Sequence, residues 1–383
     1  MISVLPDEVV GLIFSLIPPE DPASRKAFYA SCRTVRTCPC VLDQLQSMRL
    51  DLSNLPAYNP FLSFPRGSSL KSLHLVDTVH KYGRNTKLWK LLEPHAADEA
   101  TKIRVRQNLN SVEELTLEHL YLERSAGEEA AARALCVLCP KLKVLNIKDC
   151  IGYPCNMEFF LKHLLGWGWA QSSGPQLREL SFSPASLSIS LIKAFARFAS
   201  LEALDLKKDA SLAHYEYGSC MAAMSQKLEL ALPRLPRLKS LGVSDSLALP
   251  QKNGLGGSLQ ILSIGRVTDL TFFDVSTIRR HFPLLRRIDV DRVEVGRQST
   301  PDAVKATSAR IAMDLAELSD LCVTTREIAD LRVDCCVPLL EPLAGTSFLT
   351  AIKSVEVISG ILTMESMAAL SNIASLKEIH VWD

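Results

Sequence analysis

A six-residue pattern, apolar-x-x-apolar-x-apolar, recurs along this chain and constrains its fold more than any other feature. Six of the eleven intervals between successive starts are 21 to 26 residues long, a spacing typical of proteins built from stacked repeats. The three longest intervals, of 37 to 43 residues, indicate insertions or a degenerate copy. The copies start at Leu45 (the weakest), Leu70, Val112, Leu142, Leu177, Leu201, Leu238, Leu259, Leu285, Ile328, Ile352 and Leu376.

Each copy predicts a short strand, because alternation sends its second and third apolar residues to one face and the intervening residues to the other. The chain must then return antiparallel, and several intervals carry apolar residues at helical spacing. One such repeat cannot bury its apolar face alone, whereas stacked repeats can. The pattern therefore predicts an α/β solenoid with parallel strands on a concave face and helices outside; an ordinary α/β fold with coincidental leucine patterns is the alternative. Helices are predicted at Leu187–Phe198, Phe272–Phe282 and Glu365–Ile373.

One copy carries cysteines at both ends, since the segment from Cys139 to Cys150 reads CPxLxxLxLxxC. This pattern resembles the cysteine-containing leucine-rich repeats of F-box proteins. In that family the ninth residue of the repeat turns inward after the strand and satisfies backbone groups, and the resemblance implies this role for Cys150 and Cys336. The repeat also explains the zinc-like spacing of Cys136, Cys139, Cys150 and Cys155 better than a metal site does.

The first forty residues do not follow the repeat and instead predict two helices. The first has an acidic first turn after a proline, carries an apolar stripe and ends before Pro18; the second covers Ala23–Val35. The opening LPDEVVGLIFSLI resembles the F-box, whose typical form begins LPxEhhxxIFxxL. Ser31–Val35 resembles the later F-box helix, with Val35 in place of the usual Trp and Pro22 where the family prefers Leu. The alternative is that this segment caps the solenoid by packing its stripe against the next repeat.

The resemblance implies a two-part protein, with an F-box-like all-α domain at 1–42 and a leucine-rich-repeat solenoid of about 11–12 irregular repeats at 43–383. In the family, the F-box binds the Skp1 adaptor of an SCF-type cullin-RING ubiquitin ligase, and the repeats hold a target protein. This receptor is not an enzyme; its contribution is proximity, which raises the effective concentration of a target lysine. The residues expected to contact the adaptor share apolar character: Leu5, Pro6, Val9, Ile13, Phe14 and Ile17.

The target is expected on the outward-facing strand positions, because solenoids form extended binding surfaces on their concave face. Trp382 stands out there as a large aromatic that could anchor an interface or cover the last repeat. Most of the outward positions are expected to be solvated strand faces without a specific role. The residues predicted to bind a target are polar or aromatic: His74, Glu114, Glu118, Lys148, Lys207, Arg287, Asp289, Arg332, His380 and Trp382.

Composition and motifs narrow the function further. The 43 Lys+Arg and 42 Asp+Glu residues give a net charge of +1, which predicts no global attraction to nucleic acid or anionic membrane. The chain lacks the ~20-residue apolar run of a membrane span and the basic start of a secretory leader, so a cytoplasmic or nuclear location is expected. No GxGxxG, P-loop, HExxH or GxSxG motif is present. We therefore expect no cofactor, metal or catalysis.

Two alternatives to the ligase receptor remain open at this stage. A leucine-rich-repeat scaffold or sensor with a helical N-terminal cap would bind a partner without any ubiquitin ligase. A small ligand could also assist target binding through a basic pocket, for which Lys148, Lys207 and Lys208 are the candidates. The N-terminal helix discriminates between receptor and scaffold, because only the receptor leaves its apolar stripe exposed for a partner.

Overall fold

The chain is described from a computed structural model that divides into two compact units between Glu179 and Leu180. Within the described residues, every helix is too short or too polar to cross a bilayer. The predicted domain boundary at 42/43 lies outside these residues. The described ranges are 13, 16–17, 24, 46–52, 70–77, 99–120, 132, 134–135, 138–148, 150, 159–160, 177–182, 189–195, 198, 200–207, 217–250, 252, 256–296, 299–358 and 363–382.

Among its described residues, the first unit contains four parallel strands that pair in chain order. They are β1 (Ser47–Asp51), β2 (Ser72–Val76), β3 (Glu114–Glu118) and β4 (Val144–Lys148). Helix α1 (Glu99–Leu109) precedes β3. Leu73, Leu115 and Leu145 are in register across three of the strands and are fully buried. The second apolar residues of these three copies thus form a continuous core row, as the repeat predicts.

The second unit repeats this arrangement, and four of its described strands are longer than those of the first unit. Parallel pairs join β6 to β7, β7 to β8 and so on through β12, always between neighbours in sequence. The strands are β6 (Ala203–Leu206), β7 (Ser240–Asp245), β8 (Ile261–Val267), β9 (Arg287–Glu294), β10 (Cys322–Leu331), β11 (Ser354–Ile358) and β12 (Glu378–Trp382). A short strand, β5 (Glu179–Ser181), falls at the boundary between the units.

Described helices lie between most pairs of consecutive strands, and the three predicted helices are confirmed. The helices after α1 are α2 (Ile189–Phe195), α3 (Tyr217–Ala231), α4 (Val275–His281), α5 (Pro301–Glu317), α6 (Val333–Leu343) and α7 (Met364–Ser371). Side-chain caps fix where several of them begin. Asp274 accepts the Thr277 N–H at the start of α4, and Thr363 accepts the Ser366 N–H at the start of α7. The described chain is therefore α/β with parallel strands, consistent with solenoid-like coils.

A repeated backbone contact explains why the copies stack at a fixed register. The carbonyl oxygen of Lys71 accepts the N–H groups of Glu113 and Glu114, at 2.8 and 2.9 Å. The carbonyl of Glu202 does the same for Lys239 and Ser240, at 2.7 and 3.0 Å. In each case the acceptor is the second residue of the six-residue pattern. Each coil is thus hydrogen-bonded to the next before the strand proper begins.

The strand predicted from the IADLRV copy was wrong in position. The prediction placed it after Ile328, but β10 already starts at Cys322 and α6 starts at Val333. Val323 is in register with Ile288 and is the true second position. The copy is disguised because one residue separates Leu321 from Val323, whereas two separate Leu285 from Ile288, and because a threonine fills its third apolar position.

Two further predictions fail with that copy. Cys336 lies inside α6, where it is fully buried, so the predicted inward turn after a strand does not apply to it. Burial raises the pKa of its thiol to about 12. Arg332 is the N-cap residue of α6 rather than a strand residue, and it pairs with Asp334 of the first helical turn. For Cys150 the expected role fits, because its buried thiol lies 3.7 Å from the Leu117 carbonyl oxygen.

Candidate functional site: the outward strand face

The outward residues of β6 to β10 form a surface that we call the strand face. Two of its strands carry only small residues at the central outward positions, whereas the flanking strands carry charges. The first row across the strands contains Asp205, Gly242, Ser263, Asp289 and Thr324, and the second contains Lys207, Ser244, Gly265, Asp291 and Arg326. The strand face is therefore a shallow floor of glycine and serine between two charged walls.

The glycines are required by close approach rather than by backbone conformation. A Cβ at Gly242 would overlap the Asp205 carboxylate, whose Oδ1 also accepts the Lys207 N–H at 3.0 Å. A Cβ at Gly265 would lie 2.8 Å from the Ser244 carbonyl oxygen, closer than real Cβ contacts. Neither glycine can therefore be replaced by a residue with a Cβ atom unless neighbouring atoms move.

An ion pair spans this floor. Lys207 Nζ on the β6 side lies 2.8 Å from Asp291 Oδ2 on β9, although β7 and β8 lie between them. Three strand intervals amount to roughly 14 Å in a flat sheet, so only small residues below allow the two side chains to meet. Arg326 of β10 is ion-paired with the other carboxylate oxygen of Asp291, with Nη1 at 3.3 Å from Oδ1 but not in hydrogen-bond geometry. Asp291 thus joins charges from three strands.

A second ionic network lies where β8 to β11 end. Arg292 contacts Glu327 at 2.6 Å, Glu356 at 2.8 Å and Glu294 at 3.6 Å. Arg266 lies 3.4 Å from Glu294 and connects this network to the next coil. Burial raises the pKa of Glu294 above its ordinary value, against the opposing effect of Arg266. The result is a row of alternating charges held by partners on neighbouring strands.

The buried end of this network is Asp245. Its side chain is almost fully inaccessible and accepts hydrogen bonds from Thr268 Oγ1 at 2.6 Å and from the Leu247 N–H at 2.9 Å. Arg266 Nε lies 3.4 Å from its second oxygen. A buried carboxylate needs such donors to offset the loss of hydration. Asp245 therefore fixes Arg266 in place at the edge of the strand face.

The predicted residues Arg287 and Asp289 come together at the start of β9. Arg287 Nε donates to Asp289 Oδ1 at 2.9 Å, and Thr324 Oγ1 donates to the same oxygen at 2.7 Å. The Asp289 carboxylate raises the pKa of the Arg287 guanidinium. Asp289 belongs to the first row of the strand face, beside Ser263, and Arg287 lies two residues before it on the same strand.

In the first unit, the predicted residues His74 and Glu118 also meet. His74 Nε2 lies 2.5 Å from Glu118 Oε2, although the two atoms are not in hydrogen-bond geometry. Arg49 and His119 approach the same carboxylate at 3.9 and 3.6 Å. His119 holds a positive φ of 57° directly after β3. Glu118 is thus the centre of a small basic cluster.

A further ionic contact in the first unit precedes the strands. Glu113 lies between two lysines, with Lys71 Nζ at 2.9 Å and Lys143 Nζ at 2.6 Å. Hydrogen bonds from Lys143 and then Lys71 lower the pKa of the Glu113 carboxyl from 4.5 to about 2. The contact links three successive coils at the second position of the repeat.

The remaining predicted residues are more scattered. Glu114 and Lys148 occupy outward positions of β3 and β4, and Lys148 is exposed. His380 and Trp382 lie on β12, where His380 Nε2 is 3.4 Å from Glu378 and 58% of Trp382 is accessible. Arg332 lies at a helix terminus rather than on a strand. The predicted target-binding residues therefore do not form one cluster.

Sequence reasoning missed the residues that give the strand face its form. Gly242, Ser263 and Gly265 were not singled out, although each interrupts the charged outward positions of its neighbours. The available signal was a small residue at an outward position in two successive copies. Arg266 and Arg292 were also missed, because they lie beyond the six-residue pattern.

The predicted adaptor-binding residues lie mostly outside the described residues, which is the case for Leu5, Pro6, Val9 and Phe14. Ile13 is helical and partly exposed, and its carbonyl oxygen accepts the Leu16 N–H at 3.2 Å. Ile17 is also partly exposed. The adaptor contact stays a prediction.

Comparison with known proteins gives no match, either among models of protein families or among curated proteins. The contacts of the strand face and the resemblance of the repeats are therefore the basis for a proposed function.

Proposed function

We propose that this chain is the substrate-recognition subunit of an SCF-type ubiquitin ligase. Residues 1–42 would act as an F-box that binds a Skp1-like adaptor and through it the cullin complex, and the repeats would bind a target protein. The parallel α/β coils support the repeat half of this proposal. The F-box half is supported by the sequence resemblance and by the partial exposure of Ile13 and Ile17.

The observation that carries target binding is the Lys207–Asp291 pair above its floor of small residues. Charges held by partners on other strands are ordered before a ligand arrives, which lowers the entropic cost of binding. Fixed alternating charges also select partners, because a misplaced like charge is costly. The floor is shallow and wide, which suits a segment of a folded protein better than a small molecule held in a closed pocket.

A leucine-rich-repeat scaffold without a ligase role would use the same strand face. The two functions differ only at the N-terminus, where the receptor needs an apolar surface for the adaptor. A scaffold would bury Ile13 and Phe14 against its own repeats and would not bind the adaptor.

Adaptor binding tests the proposal directly. The purified full chain is mixed with a Skp1-like adaptor and captured, in parallel with the double variant Ile13→Asp/Phe14→Asp. Ser24→Asp serves as the control, because Ser24 is exposed and outside the apolar stripe. The receptor predicts binding by the wild type and the control and its loss in the double variant. Absence of binding by the wild type, or binding that survives both aspartates, would refute it.

A further inference from the structure

The second row of the strand face continues beyond β10. Strands β10, β11 and β12 are parallel neighbours, and the residues Glu327, Ser354 and Glu378 are in register across them. Each of these residues is directly preceded by a basic one. The three basic residues, which we call the basic row, are Arg326, Lys353 and Lys377. The row that begins with Lys207 on β6 therefore ends in three successive cations.

Backbone hydrogen bonds keep these cations beside each other. The carbonyl oxygen of Arg326 accepts the Lys353 N–H at 2.7 Å, and that of Lys353 accepts the Lys377 N–H at 2.8 Å. Neighbouring strands lie about 4.8 Å apart, and like charges directly opposite each other on two strands are destabilising. Arg326 is partly compensated by Asp291, whose Oδ1 lies 3.3 Å from its Nη1. The two lysines are both exposed and carry the uncompensated charge.

At the same position of the repeat, other coils neutralise their charges. Glu113 pairs with Lys71 at 2.9 Å and with Lys143 at 2.6 Å, on the coils before and after it. Glu202 pairs in the same way with Lys239 of the next coil, at 2.8 Å. Within the described part of the chain, neither lysine of the basic row has such a partner. The fold therefore does not account for these two charges by pairing them.

The carboxylates beside the basic row are engaged elsewhere. Glu327 and Glu356 both contact Arg292, at 2.6 and 2.8 Å. Glu378 is 67% exposed and lies 3.4 Å from His380. An anionic ligand would be attracted by the row and repelled by these carboxylates alongside it. The site therefore fits a narrow anion that lies along the row.

We propose that the basic row binds an extended, acidic segment of the target protein. This inference rests on the proposed target binding at the strand face and adds the chemistry of the target. Alternate residues of an extended segment lie about 6.7 Å apart and point to the same side, so two carboxylates at alternate positions can each face a lysine with a flexible stem. A broad polyanion such as nucleic acid or an anionic membrane is disfavoured, because it would also face the carboxylates beside the row. The net charge of only +1 likewise gives it no global attraction.

Peptide binding to the full chain tests this proposal without the adaptor. A display library of random peptides of about eight residues, or roughly 27 Å when extended, is selected on the wild type, and a peptide of alternating Glu and Ser serves as a defined probe. Affinities are measured by fluorescence anisotropy for the wild type, Lys353→Gln, Lys377→Gln and the double variant Lys353→Glu/Lys377→Glu. Lys305→Gln is the matched control, because Lys305 is an exposed lysine on α5. Circular dichroism checks that each variant is folded, and the two Gln variants keep the test valid if the double variant unfolds.

We expect enriched peptides that carry Asp or Glu at alternate positions. Each Gln variant should weaken their binding, and that of the defined probe, about twofold to fivefold, the range of single exposed ion pairs. The double variant should weaken it about tenfold or more, because reversed charges repel the carboxylates. Glu378→Gln should strengthen binding, Lys305→Gln should leave it unchanged, and high salt should weaken it.

Enriched peptides that are neutral or basic, or affinities that the double variant leaves unchanged, would overturn the proposal. It would equally be overturned if no peptide is enriched, or if single-stranded DNA or phosphatidylserine vesicles bind through the same lysines more tightly than the peptides do. A cellular target that is lost with Lys207→Glu but is still bound by the double variant would refute the basic row alone. The proposed target binding at the strand face would then stand.

Discussion

Lys207 and Asp291 are 84 residues apart in sequence, yet Lys207 Nζ lies 2.8 Å from Asp291 Oδ2 across two strands that present glycine and serine. The pair is partly shielded, with 25% and 33% of the two side chains accessible. It connects the wall of the strand face formed by β6 to the wall formed by β9. This contact makes the strand face an ordered surface rather than a set of independent solvated charges.

Removal of this pair should cost measurable stability. Partly shielded ion pairs contribute about 1 kcal/mol, so Lys207→Met should lower the free energy of unfolding by about that amount in urea titration. Lys252→Met is the matched control, because Lys252 pairs with Glu229 but is 71% exposed. Combined with Asp291→Asn, Lys207→Met should show a coupling energy that is absent from the control. A coupling energy of zero would mean that the Lys207–Asp291 ion pair does not contribute to the stability of the protein.

The glycine floor gives a second prediction. Gly265→Ala should destabilise the protein by about 1–3 kcal/mol, the usual cost of overpacking, because its Cβ would lie 2.8 Å from the backbone oxygen of Ser244. Gly257→Ala is the control, since no described atom lies within 4 Å of a Cβ there. Thermal unfolding of both variants tests this. Equal midpoints would show that the floor is not closely packed.

Some of this arrangement could be predicted from the sequence and some could not. Leu73, Leu115 and Leu145 were placed correctly because the apolar pattern dictates the buried row of each strand. The copy containing Val323 was missed because its spacing is shortened and its third position is Thr325. A spacing that is shorter by one residue hides the pattern in the sequence. The pairing of β10 with β9 still keeps Val323 in register with Ile288.

The sequence also could not show which of the charged residues pair with each other. Outward positions were identified, but which of them pair depends on the side-chain size of the strands between. Lys207 reaches Asp291 only because Gly242 and Gly265 leave room. Similarly, the cleft beside Glu341 is lined by small residues of two neighbouring coils, and no single repeat shows it.

Thr325 allows a stabilising substitution. It is fully buried in a row otherwise made of apolar residues, and none of the described residues offers its Oγ1 a hydrogen-bond partner. Thr325→Val removes this unsatisfied hydroxyl at nearly constant volume and should raise the free energy of unfolding by about 1–2 kcal/mol.

The adjacent residue supplies the matched control. Thr324 donates to Asp289 at 2.7 Å, so Thr324→Val should be destabilising. Urea unfolding of the two variants should therefore shift in opposite directions. A shift in the same direction for both would contradict the placement of β10.

The ionic contact of Glu113 predicts a dependence of stability on pH. Because the folded-state pKa of Glu113 is lowered from 4.5 to about 2, its contribution is fully present above about pH 4.5 and is lost as the pH falls toward 2. The contribution is modest, since about a third of the Glu113 side chain is accessible and solvent screens the pair.

The test compares Glu113→Gln with Glu317→Gln at an exposed helix position. The stability difference between wild type and Glu113→Gln should be larger at pH 7 than near pH 2, and high salt should reduce it. A difference that does not change with pH would mean that the two lysines do not stabilise the carboxylate.

Affinity capture from proteasome-inhibited cells tests the central proposal most directly, with the wild type, Lys207→Glu and Ile13→Asp/Phe14→Asp compared side by side. We predict a protein that is captured by the wild type and by the N-terminal variant, is lost with Lys207→Glu, and is ubiquitinated only in the presence of the wild type. Lys252→Glu should behave as the wild type. Captured proteins that are indifferent to Lys207→Glu, or ubiquitination that persists in the N-terminal variant, would contradict the assignment of this chain as a ligase receptor.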